Sequence, residues 1–109
     1  MSPQAKVADP IEMGIVRLPC WDHAGEPTVD TSARWVRLTG RVCQNEGGAE
    51  SISVRNLTNG FSATVFPTLG KGMTTDFIPL QSGQNAILIR FDQGEGMAAK
   101  ESQFSLVGE

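Results

Sequence analysis

In residues 34–43, RWVRLTGRVC, every second position is apolar or small: Val36, Leu38, Gly40 and Val42. Trp35, Arg37, Thr39, Arg41 and Cys43 fill the places between. Successive side chains of a strand point to opposite faces, so this stretch reads as a ribbon with one face toward a core. The other face holds a tryptophan, arginines and a thiol. It is a binding surface, a disulfide partner or ordinary solvated strand, and the alternation alone leaves the three open.

The same period recurs along the chain. SISVRN places Ile52 and Val54 on one side; FSATVF sets Phe61, Ala63 and Val65 against Ser62, Thr64 and Phe66; NAILIRFD aligns Ile87, Ile89 and Phe91; and the closing run alternates Phe104 and Leu106. IEMGIVRL, residues 11–18, reads as an earlier strand with a bulge at Gly14. No window places apolar residues at three- and four-residue spacing with a polar opposite face, so helices are not expected. Asn59-Gly60 predicts a tight hairpin turn joining the runs around it. About seven strands at intervals of roughly 8–12 residues predict an all-β, two-sheet sandwich of antiparallel strands.

Residues 1–10, with two prolines, read as a loose arm, and 11–109 as a single domain. A chain of 109 residues buries about two-thirds of its unfolded surface, enough for one core. The net charge of −3 argues against nucleic acid as a partner, because phosphate contacts require a surplus of Lys and Arg. No run approaches the roughly 18 apolar residues of a membrane span, so membrane insertion is not expected. The opening MSPQAKVADP lacks the apolar centre of a signal peptide, which by itself does not bear on export. Cys20 and Cys43 are an even pair without C-x-x-C spacing, and a disulfide between them places the chain in an oxidising, periplasmic or extracellular setting.

From Val36 to Leu106 the sequence resembles bacterial immunoglobulin-like modules similar to the B domain of glucodextranase. The resemblance is carried by VRLTGRV, ISVRN, FIPL, SGQNAILIRF and FSLV, and above all by the spacing from Leu80 through Gly83, Asn85 and Ile87 to Ile89. Gly83 permits a turn, and Asn85 can bond local backbone where the next strand begins. The resemblance implies an immunoglobulin-like sandwich that acts as a spacer, adhesion module or accessory domain, with no catalytic residues to carry over. The part before Ser32, with Cys20 and Trp21, departs from the pattern.

Catalytic residues and cofactors are not expected. The single histidine, His23, lies near Asp22 and Glu26, too few ligands for a structural metal site. Cys20 with His23 lacks a third orienting group for a thiol nucleophile, and pairing with Cys43 is the preferred role. Binding is assigned instead to Trp35, Arg37, Arg41 and Trp21, an aromatic platform with fork-shaped donors suited to a sugar ring or a partner's carboxylates. Burial under the arm and plain solvation are the competing readings of that face. Phe66, Leu88 and Trp21 together would make an apolar patch. Asn56, Leu57 and Thr58 match the N-glycosylation pattern but are read as turn chemistry. Asp76 is read as a polar strand residue.

The expected function is a non-enzymatic, exported accessory or adhesion module that engages a protein partner or surface. A carbohydrate-binding module using Trp35 and Trp21 is one alternative. A structural subunit of a surface assembly, completed through an open sheet edge, is another. The oligomeric state is not legible in the sequence.

Overall fold

The computed structural model describes residues 13–22, 33–43, 48–70, 72–94 and 96–108. The arm, Ile11, His23 and Glu26 lie outside them. The described residues form β1 (Met13–Arg17), β2 (Trp35–Arg41), β3 (Ile52–Asn56), β4 (Phe61–Ala63), β5 (Val65–Pro67), β6 (Gly72–Thr75), β7 (Ile78–Pro79), β8 (Gly83–Phe91) and β9 (Lys100–Gly108). The only helical element among them is a single 3-10 turn, Ala49–Ser51.

Two sheets result. Sheet A runs β1-β2-β6-β5, with β7 also on β2, and sheet B runs β4-β3-β8-β9. One core joins them: Val16, Val36, Leu38, Met73 and Ile78 from sheet A are buried in the same cluster as Ile52, Val54, Ile87, Ile89, Phe91 and Leu106 from sheet B. The alternation expected for β2, β3 and β8 is the observed burial pattern, with Leu38 and Ile87 fully buried. This is the architecture of an all-β sandwich.

The described strands are shorter and more numerous than the expected seven, and two breaks account for it. FSATVF alternates without interruption, yet it changes sheets at Thr64. Phe61–Ala63 pairs with β3 in sheet B, and Val65–Pro67 pairs with β6 in sheet A. The second break is a bulge. Thr39 faces Thr74 but Val36 faces Ile78, so three steps along β2 match four along its partner. Asp76 and Phe77 occupy the extra length. Asp76, expected as a plain strand residue, ties the two breaks together: its carboxylate accepts the Thr64 N–H at 3.0 Å, and its own N–H donates to the Thr64 carbonyl at 3.0 Å.

The first strand also differs from expectation. β1 runs parallel to β2 in regular register, with Gly14 opposite Val36 and no bulge between them. Parallel neighbours leave their sheet at the same end. Cys20 and Cys43, just beyond those ends, are therefore brought together, and they form a disulfide with Cα atoms 5.7 Å apart. Reduction is expected to lower stability by about 2–4 kcal/mol, because the bridge restricts the unfolded chain. Thermal unfolding with and without reductant should show the midpoint falling by about 10 °C or more. An unchanged midpoint would mean that the bridge has no thermodynamic role.

The hairpin between β3 and β4 forms, but Asn56 faces Phe61, so four residues close it rather than two. Gly60, at φ +82°, and Gly83, at φ +93°, take the left-handed backbone that the turns require.

Candidate binding face

Trp35, Arg37, Thr39 and Arg41 share the outer side of β2, as their alternation with buried Val36 and Leu38 dictates. The parallel register adds residues the sequence did not assign to this face. Met13 lies beside Trp35, Ile15 beside Arg37, and Arg17 beside Thr39. On the opposite flank Trp35 meets Pro79, while Thr39 leads through Thr74 to Phe66. Met13, Ile15, Trp35 and Phe66 are each between 43% and 53% exposed, a high value for large apolar side chains.

The bulge organises the middle of this face. By adding one residue it turns Phe77 outward while Ile78 stays in the core, and the Arg37 guanidinium sits over the Phe77 ring, 4.4 Å from its centre. Arg37 Nε also donates to the Thr75 carbonyl at 3.0 Å. The Thr75 hydroxyl accepts from the Leu38 N–H at 3.0 Å, and the Thr74 hydroxyl donates to the Leu38 carbonyl at 3.1 Å. Arg37 is thus held flat against the sheet. Such a fixed guanidinium loses little conformational freedom when a ligand binds it.

The outer side of sheet B is of another kind. Its exposed positions include Ser53, Arg55, Ser62, Gln103 and Ser105, and Arg90 pairs there with Glu101 at 3.2 Å and Asp92 at 3.7 Å. These are solvated ion pairs of ~0–1 kcal/mol and need no partner.

Trp21 corrects an expectation. Assigned to binding with Trp35, it is 1% exposed and belongs to the core. Its Nε1–H donates to the Met73 carbonyl at 3.2 Å, and its own N–H donates to the Arg41 carbonyl at 2.7 Å. Gly40 is small for this reason: a Cβ there would lie 3.1 Å from Leu18 Cβ and 3.4 Å from the indole nitrogen. Phe66, Leu88 and Trp21 do not cluster into an apolar patch. Phe66 is on the outer side of sheet A, Leu88 pairs with Arg55 and Gln103 in sheet B, and Trp21 is inside.

The remaining candidates have structural roles. Asp22 is buried and accepts the Cys43 N–H at 2.9 Å. It groups with Cys20 and Cys43 within 4.8 Å, but the two sulfur atoms are bonded to each other and neither is available as a thiolate ligand. Asn56 is fully buried, its amide donating to the Pro79 carbonyl and to Asn85. That amide nitrogen is spent inside the protein, in keeping with turn chemistry rather than a glycan. No helix among the described residues is long and apolar enough to cross a membrane.

No protein-family model, curated protein or solved structure matches the chain.

Proposed function

We propose that the protein is a non-enzymatic, exported binding module of immunoglobulin-like type that docks a protein partner on the outer side of sheet A. One observation carries this reading: Met13, Ile15, Trp35 and Phe66 are exposed on the side that also bears Arg17, Arg37 and Arg41. The strands of sheet A contain no Asp, Glu or Lys. Protein interfaces are enriched in aromatic residues, Met and Arg and depleted in Lys, Asp and Glu, and energy concentrates at Trp and Arg. The disulfide is compatible with an oxidising compartment and supports export.

Replacing Trp35 by alanine is expected to abolish capture of a partner from extracts of the source organism, or weaken it by at least about tenfold. The thermal midpoint should move little, since the side chain is largely outside the core. Arg55→Ala on sheet B serves as the control. Capture that survives Trp35→Ala, or is lost equally with Arg55→Ala, would refute the face.

A second reading is favoured by the exposed indole itself. Trp35 beside Arg37 suits a sugar ring stacked on the aromatic with hydroxyls bonded to the guanidinium. Binding to a glycan array that Trp35→Ala removes, without any protein captured, would replace the first reading by this one.

A further inference from the structure

At one end of sheet A the outer side hollows into a cleft of about 480 Å³ between β1, β2 and the loop that joins β5 to β6. Arg17, Thr39 and Arg41 form one wall, and Thr68, Leu69 and Gly70 the other. We propose that this cleft is an acidic-peptide site, in which Arg17 and Arg41 take carboxylates two residues apart, on one side of an extended segment of the partner. The inference rests on the reading of sheet A as a protein-docking face and names the chemistry of what docks there.

Three observations carry it. First, charge is segregated. The chain is acidic overall, at −3, yet the strands that build this face hold three arginines and no carboxylate. Second, both guanidiniums are open. Arg17 and Arg41 are exposed, and among the described residues the ion pairs involve Arg90 and neither of these two. Third, the two arginines share a side of the sheet. Arg17 is level with Thr39, and Arg41 lies two residues further along the neighbouring strand, about 7 Å on. Two forked donors so placed match carboxylates spaced along an extended peptide, each accepting a bidentate pair of hydrogen bonds.

The rim selects a peptide over a bare polyanion. Leu69 is 96% exposed at the lip of the cleft, and Ile15, 49% exposed, precedes Arg17 on the same side of β1. A sulfated glycan would leave both in water. A segment mixing Glu or Asp with apolar side chains covers them while it neutralises the arginines.

The test uses the full chain and a synthetic peptide built of Glu-Glu-Leu repeats, with the Gln-Gln-Leu peptide and a sulfated oligosaccharide as comparisons. Isothermal titration gives affinities, and amide NMR shifts locate the site. The glutamate peptide is expected to bind at low salt, to shift Gly40, Gly70 and Gly72, and to weaken as salt is raised. Arg17→Gln with Arg41→Gln should weaken it by roughly tenfold or more, while Arg55→Gln leaves it unchanged. Unfolding curves of the double variant should overlay the wild type, because both side chains are exposed. Equal binding of the glutamine peptide, indifference to the double variant, or binding of the oligosaccharide alone would each overturn the proposal. If capture of the natural partner fails with Trp35→Ala but survives the double variant, the cleft assignment falls and the docking face stands.

Discussion

Trp21→Ala is expected to destabilise the protein by about 3–5 kcal/mol, near the upper end of what one substitution does in a core. The indole is among the largest fully buried side chains, and its loss would leave a cavity under Gly40 and deprive the Met73 carbonyl of a donor. Chemical denaturation of the oxidised protein would measure it. Trp21→Phe should recover part of the loss, since it restores apolar volume but not the hydrogen bond. A change below about 1 kcal/mol for Trp21→Ala would place the indole outside the core. The contrast with Trp35→Ala is diagnostic: one tryptophan supports the fold, the other the surface.

The second large effect is expected at Asn85, which is fully buried at the start of β8. Its oxygen accepts the Gln81 N–H at 2.9 Å and the Asn56 amide at 3.0 Å. Its nitrogen donates to the carbonyls of Gln81 at 2.9 Å, Gly83 at 3.0 Å and Leu106 at 3.4 Å. Alanine would strand several of these groups without water. At ~1–3 kcal/mol for each buried group left unsatisfied, partly relieved by relaxation, the total is about 3–5 kcal/mol. Asn85→Asp has nearly the same shape yet should also destabilise, because a carboxylate cannot donate to the three carbonyls that face it. If Asn85→Asp unfolds at the wild-type denaturant midpoint, the network has been assigned the wrong way round.

Local patterns were legible where local physics decides. Val36 and Leu38, Ile52 and Val54, and Ile87, Ile89 and Phe91 are inside because a strand alternates and only one of its faces meets the other sheet. Asn85 could be read as a backbone-bonding residue because a short amide side chain just after Gly83 has carbonyls in reach. The features missed depend on residues far apart in the chain. Nothing within FSATVF announces that it changes sheets at Thr64, since the stabilising partner is Asp76, in the bulge between β6 and β7. The bulge that turns Phe77 outward follows from the pairing of β2 with both β6 and β7, which no single strand encodes.

The candidate face divides in the same way. Trp35, Arg37 and Arg41 were identifiable from their common parity on one strand. Met13, Ile15 and Arg17 joined them only through the parallel pairing of β1 with β2, a contact across a long connection that the sequence pattern does not specify. Trp21 was misplaced because it stands just beyond a strand, where alternation no longer applies. Its burial comes from the turn that the Cys20–Cys43 bridge and Asp22 fix across the end of sheet A.

The most direct test of the docking face is covalent footprinting of the full chain, free and bound to the protein it captures. Labelling at Met13, Ile15, Trp35 and Phe66 is expected to fall in the complex, while Leu57 and Val107, equally open in the free chain, label as before. Protection of Leu57 or Val107 with Trp35 unchanged would put the partner elsewhere and contradict the account.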